Sequence, residues 1–328
     1  MDKRIVFMGT PEFASGCLTA LLEAGMNVVA VVTMPDKPVG RGQKTGMSDV
    51  KRRALEAGLP ILQPERLKDP GFLEKLAAFK ADLQIVVAFR MLPQEVWSMP
   101  PLGTFNLHAS LLPRYRGAAP IQRAIWNGET ESGVTTFLLD KNLDTGAILY
   151  QEKVAVSPEE TAGTLHDKLL AKGAPLVVKT ARALFEGKAE PKPQPEMDDE
   201  NLPDAPKIFK KDCFLNFYMP ARKVLQQIKA LSPYPGAIAC LQQCSTQKKI
   251  PVKLLDGHLS EKKTKSYKQG TLESDNKRFL DICCGDGAFL SVTKIQLPGK
   301  KQLTTEELLR GFKFDTACDA FLPEVINI

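Results

Sequence analysis

Short apolar runs, each followed by a stretch of helical periodicity, constrain this chain more than any other feature. RIVFMG (residues 4–9), NVVAVVT (27–33) and LQIVVAF (83–89) read as buried strands. Helices are expected over 11–23, 48–57 and 70–79, the first with Thr10 as N-cap and Pro11 at the first helical position. A short strand near 60–63 and a long polar loop over 34–47 complete this part, and GTFNLH (103–108) supplies a further strand end. Strand and helix periods alternating in this way predict an α/β fold, a Rossmann-like doubly wound and mostly parallel sheet. In such sheets ligands bind beyond the carboxyl ends of the strands.

The first strand-to-helix turn, GTPEFA (9–14), has one glycine where a dinucleotide fingerprint needs G-x-G-x-x-G, and no G-x-x-x-x-G-K-[ST] occurs. NAD chemistry and the usual ATP loop are therefore not expected, and no motif calls for a metal. No apolar run approaches the ~20 residues that span a bilayer, and the start, MDKRIVFMG, enters a strand directly. A cytoplasmic protein without membrane association is expected, and a monomer. Seven cysteines in no repeating spacing argue against a disulfide framework. Cys240 and Cys244 with His258 supply too few ligands for structural zinc. Cys283 and Cys284, adjacent in a strand-like run, read as buried thiols.

At 328 residues the chain fits two domains. A helix over 162–186 ends a first domain (1–187), and a Pro- and charge-rich stretch (188–206) reads as an extended linker. In 207–328 a helix over 219–231 precedes five short strand-like runs and a final helix over 304–312, which suggests a small β-barrel. Charge divides along the same line. Residues 1–206 hold 24 Lys and Arg against 26 Asp and Glu (net −2), whereas 207–328 hold 20 against 12 (net +8). A basic module of this kind is the footprint of a polyanion-binding surface.

The candidate site lies in FNLHASLLPRYRG (105–117) and LLDKNLDTGAILY (138–150). On a strand, residues i and i+2 share a side, so the Asn106 amide and the His108 imidazole face one space. Such a pair stabilises charge developing on a carbonyl oxygen, and a carboxylate such as Asp144 beside the imidazole orients it and keeps it protonated. Acyl transfer is the implied chemistry.

HASLLPRYRG followed by D-x-x-x-D-T-G resembles the signature of the 10-formyltetrahydrofolate-dependent formyltransferase family, and the similarity runs from GTPEFA to SPYPGA (232–237) and more faintly beyond. The resemblance implies catalysis by Asn106, His108 and Asp144, with 10-formyltetrahydrofolate as donor. It implies a folate pocket that includes Phe89, Arg90, Leu92, Ser110, Leu111, Leu112, Pro113, Leu139 and Asp140, and an OB-like fold for the C-terminal barrel. Members acting on tRNA commonly read Val-Val-Ala-Tyr-Gly where this chain has Phe89 and Arg90 after Val-Val-Ala. The loop over 34–47, with Lys37, Arg41 and Lys44, resembles the basic insertion by which those members contact the acceptor arm. The implied acceptor is initiator methionyl-tRNA. Two alternatives compete: a formyltransferase or hydrolase using a small acceptor or water, and a non-catalytic tRNA-binding protein. The basic second domain weighs against the first, and an intact oxyanion set against the second.

Overall fold

The computed structural model describes residues 3–39, 44–195, 202–264 and 266–323. In chain order the first elements are β1 (Arg4–Gly9), α1 (Glu12–Glu23), β2 (Asn27–Val32), β3 (Lys37–Val39), β4 (Lys44–Gly46), α2 (Asp49–Glu56), β5 (Ile61–Leu62), α3 (Pro70–Ala78), β6 (Leu83–Val87), α4 (Gln94–Trp97) and β7 (Thr104–His108). Then come α5 (Pro120–Asn127), β8 (Glu131–Leu138), β9 (Ile148–Ala155) and α6 (Ala162–Phe185).

One seven-stranded sheet runs in the order β5-β2-β1-β6-β7-β8-β9. Its first five strands pair in parallel, while β8 and β9 run antiparallel at the far edge. The strand order reverses between β1 and β6, the switch point at which a crevice opens outside the carboxyl ends. Ile5, Val6, Phe7 and Met8 are fully buried, as expected of a central parallel strand covered on both faces. Val6, Met8, Ala30, Val32 and Val86 form a core on one face with Phe72 and Leu76 of α3 and Val96 of α4. Gly173 of α6 meets Leu107 and Val134 closely enough that a Cβ there would lie 2.8 Å from Leu107.

Caps account for several helix starts. The Ser48 hydroxyl accepts from the Lys51 amide at 3.0 Å, and the Asp69 carboxylate accepts from Phe72 at 2.9 Å, ahead of Pro70 at the first helical position. At α1 the sequence reading needs correction. The helix begins at Glu12 after an extended Pro11, and the Thr10 hydroxyl caps nothing and is buried without a partner. Two further differences concern strands. Within 34–47, β3 pairs antiparallel with β4, and ESGVTTFL and ILYQEKVA pair as the antiparallel strands β8 and β9, which their mixed polar sequence does not announce.

Contacts divide the chain into two compact units, 1–120 with 131–155 and 166–205, and 121–130 with 156–165 and 206–328. The second contains α7 (Ala221–Leu231), β10 (Ala237–Gln242), β11 (Lys249–Lys263), β12 (Leu272–Ser274), β13 (Leu280–Cys283), β14 (Ala288–Gln296), β15 (Gln302–Thr304), α8 (Thr305–Gly311) and β16 (Ala320–Phe321). Its antiparallel sheet runs β12-β13-β14-β11-β10-β16, and a bridge between Thr271 and Ala320 brings the first and last strands together. The sheet thus curls into a small barrel, filled by Phe217, Leu231, Leu254, Ile282, Leu290 and Phe321. The strand β11 is fifteen residues long, so the barrel is less uniform than five short strands would make it.

Candidate active site

The strand β7 carries Asn106 opposite Val86 of β6 and Phe137 of β8, and His108 opposite Thr135 of β8. Paired residues share a side of the sheet, so Asn106 lies on the face of the Val86 core. Its Oδ1 is buried and has no hydrogen-bond partner. Buried acceptors in native proteins are normally satisfied, so this oxygen is available to a donor.

His108 is 6 % exposed and meets the Phe137 ring edge-on, with centroids 6.5 Å apart. Its Nε2 lies 2.8 Å from the Tyr115 carbonyl, and only a protonated nitrogen can donate there. Nδ1 is therefore the nitrogen left for another partner. Asp144, in the β8–β9 connection, places Oδ2 3.8 Å from Nδ1. That is an ion-pair distance and too long for a hydrogen bond. The same oxygen accepts from the Gly117 amide at 2.9 Å, and Asp144 itself sits at φ +55°. The structure thus brings together His108 and Asp144 from segments 36 positions apart in the sequence.

The turn after β7 is held from several sides. Ser110 donates to the Arg114 carbonyl at 2.7 Å, and Thr135 donates to the Ser110 carbonyl at 2.7 Å. Gln151 donates to the Leu112 carbonyl at 2.9 Å. Described residues of the stretch read as a linker are bonded to this unit. The Tyr115 amide donates to the Pro203 carbonyl at 2.6 Å, Ala205 donates to Arg116 at 2.8 Å, and Ala119 donates to Ala205 at 3.1 Å. Tyr115, Gly117 and Thr135 were not singled out in the sequence. The Y-R-G triplet that ends the HASLLPRYRG signature was a usable signal; Thr135 offered none.

The expected folate residues fall into groups. Phe89 and Leu139 pack, with buried Leu92, on the apolar cluster around Val86, next to Asn106. Arg90 stacks on Phe89 with 5.5 Å from its guanidinium carbon to the ring centroid, and donates to the carbonyls of Glu65 (2.8 Å) and Pro64. Burial lowers its pKa. The side chains at the departure from Val-Val-Ala-Tyr-Gly thus tie neighbouring loops together, just after Ala88 at φ +46°. Leu111, Leu112 and Pro113 border a separate hollow of about 630 Å³ with Gln151, Glu152 and Lys153. Asp140 is engaged within its own loop, accepting from the Asn142 amide at 2.9 Å and the Thr145 hydroxyl at 2.8 Å.

Of the residues expected to meet tRNA, Lys37 and Lys44 lie on β3 and β4, and Arg41 lies outside the described residues. Cys283 and Cys284 are buried, and burial pushes the Cys284 thiol up to about 12. Among the described residues, one group could offer three metal ligands, Cys244, Cys318 and Asp319. Both Asp319 oxygens already accept backbone amides, from Cys244 at 2.8 Å and Asp315 at 3.0 Å, so the carboxylate braces two loops. No described helix is long and apolar enough to cross a membrane.

A Rossmann-like sheet whose strand β7 carries an amide and an imidazole on one side, with a carboxylate at ion-pair distance from the imidazole, followed by a small barrel, defines a class. Residues 3–181 match the formyl transferase family and residues 207–313 match the formyl transferase C-terminal domain, and the chain belongs to that family. Its relatives include the methionyl-tRNA formyltransferase of Bacteroides fragilis, 50 % identical over 96 % of this chain and 97 % of that protein. The methionyl-tRNA formyltransferase of Bacteroides thetaiotaomicron is 49 % identical over 95 % of this chain and 96 % of that protein. The fold is shared with the N-formyltransferase of Helicobacter canadensis in complex with folinic acid and dTDP-3-aminofucose, at TM-score 0.63 and 19 % identity over 90 % of this chain and 99 % of that one.

Proposed function

We propose that this protein transfers the formyl group of 10-formyltetrahydrofolate to the α-amino group of initiator methionyl-tRNA. The single observation that supports this reading most is the near-full-length likeness, at about half identity, to methionyl-tRNA formyltransferases. The site chemistry is in accord with it. The amine attacks the formyl carbon, a C–N bond forms, and the carbonyl electrons move onto oxygen. Asn106 donates its amide N–H to that oxygen, while its orphaned Oδ1 accepts from the incoming amine. His108, anchored through Nε2 on Tyr115, uses Nδ1, with the Asp144 carboxylate at ion-pair distance supporting the imidazolium. When the intermediate collapses, the bond between the formyl carbon and N10 breaks. The proton lost by the amine reaches N10 through His108 and Asp144 with water, and tetrahydrofolate leaves.

Phe89, Leu92 and Leu139 form the apolar wall for the pteridine, and Ser110 to Pro113, bonded to Thr135 and Gln151, hold the turn beside it. Arg90 and Asp140 support the pocket by holding its loops. Lys37, Arg41 and Lys44, together with the +8 balance of 207–328, bind the tRNA backbone. The test is formyl transfer to charged initiator tRNA with free methionine and glycinamide ribonucleotide as competing acceptors. Preferential formylation of the charged tRNA is expected; preference for either small acceptor would overturn the assignment.

A further inference from the structure

We propose that Gln194 is a positioning residue for formyl transfer, a role that rests on the reaction assigned above: it fixes the turn that presents Asp144. Gln194 follows α6 in the Pro-rich stretch. It is partly buried, while its neighbours Lys192, Pro193 and Pro195 are exposed. Its Nε2 donates to two carbonyls of one turn, Asp144 at 3.0 Å and Gly146 at 2.8 Å. Its Oε1 accepts from Arg116, from Nε at 3.2 Å and from Nη2 at 2.5 Å. The next residue, Gly117, donates its amide to the Asp144 carboxylate at 2.9 Å. One carboxamide therefore closes a ring that runs from the Asp144 carbonyl through Gln194, Arg116 and Gly117 back to Asp144 Oδ2.

The ring matters because Asp144 stands at φ +55°, a left-handed conformation uncommon outside glycine though best tolerated by Asn and Asp, so bonds to its carbonyl and carboxylate help to fix it. Within the turn itself, Asp140 secures Asn142 and Thr145, but neither of those bonds touches the carbonyls of Asp144 or Gly146. The chemistry at 194 is also selective. Two donors and one acceptor are needed at once, which a carboxamide offers; a carboxylate cannot donate, an ammonium cannot accept, and a thioether does neither usefully. Gln194 touches neither reacting atoms nor His108, so its effect on the reaction passes through Asp144.

The test compares Gln194→Met and Gln194→Glu with the parent, alone and with Asp144→Asn. Gln194→Met removes all four bonds at similar size, and Gln194→Glu keeps the acceptor for Arg116 while losing both donors. Both variants should lower kcat by about ten-fold, since a misplacement near 1 Å at a catalytic group can cost more than that. KM for each substrate should stay within about two-fold, the signature of a loss made in the transition state. Adding Gln194→Met to Asp144→Asn should cause little further loss, because the two act as one unit. Parent-like kcat in Gln194→Met, parent-like kcat in Gln194→Glu, or additive losses in the Asp144→Asn background would each overturn the proposal. A second readout is independent of activity. Hydrogen exchange at the Gly117 amide should accelerate in Gln194→Met, and unchanged exchange would overturn the brace. If the parent fails to formylate charged tRNA, the assigned function falls while the exchange experiment still decides on the brace.

Discussion

Gly146 is two residues past Asp144, at the mouth of the β8–β9 hairpin, where the Leu138 amide donates to Ala147 at 2.9 Å. A Cβ built on Gly146 would stand 1.7 Å from the Leu138 carbonyl oxygen and 2.9 Å from its carbon, against 3.0 Å, below which real Cβ contacts essentially do not occur. Relief requires the difference, 1.3 Å, and both clashing atoms are backbone, so no side-chain rotation supplies it. The strand β8 is paired on both sides and cannot yield. The turn carrying Asp144 must move instead. A displacement of that size at a catalytic group predicts a loss near 10² in rate for Gly146→Ala, or about 2.7 kcal/mol in the barrier. The associated overpacking should cost about 1–3 kcal/mol of stability. Single-turnover formylation at saturating substrate, with folate binding followed by fluorescence, separates the two effects. Gly311→Ala, where nothing lies within 4 Å, serves as control and should be neutral or slightly stabilising. A folded Gly146→Ala enzyme with parent-like turnover would show that the placement of Asp144 does not limit the reaction, and would refute this reasoning.

Asn106→Ala and His108→Ala should each reduce turnover by at least ~10²-fold with folate affinity little changed, since both act on charge absent from the ground state; near-normal turnover in either removes the oxyanion assignment. Binding of initiator tRNA should weaken steeply with salt, by roughly one power of salt activity per phosphate neutralised, and a flat salt dependence in a filter-binding titration would make the basic module a bystander. Phe217→Ala, at a side chain buried in the barrel core, should cost about 3–5 kcal/mol in chemical denaturation, and a loss below ~1 kcal/mol would contradict the packing described. Asp275 accepts the amides of Arg278, Lys277 and Phe279, which hold its carboxyl below the usual carboxylate range. Its stabilising contribution is therefore complete above pH 3.8 and is lost as pH falls below that value toward the depressed folded pKa. Asp275→Asn should accordingly lose stability at neutral pH and show a shallower acid limb; an unchanged acid limb argues against the role.

Much of the first sheet was legible because its strands are continuous apolar runs, and burial on both faces leaves such runs little alternative. The β8–β9 hairpin was not, because its strands mix Thr, Gly, Gln and Lys, and its register comes from pairing with β7. The start of α1 departs from local signals: Thr before Pro is a strong local cap signal, yet the extended residue preceding the helix is Pro11, which has no side-chain cap to offer. Arg90 illustrates the opposite limit: its departure from the family pattern was visible, but its bonds to Glu65 and Pro64 depend on where the β5–α3 connection passes.

Local chemistry by itself determined that Asn106 and His108 share one side of a strand and that positive charge gathers after residue 206. These follow from alternation, spacing and composition, which are properties of neighbours in the chain. Tertiary structure decided which imidazole nitrogen is free, because the Tyr115 carbonyl that claims Nε2 is delivered by a turn held from Pro203. It also decided that residues of the stretch resembling a spacer bond to the turns at Asp144 and Tyr115, since Gln194, Pro203 and Ala205 acquire those partners only in the folded chain. A hydrogen bond between residues fifty positions apart leaves no period to read in the sequence, and its energy exists only after the fold has brought the two together.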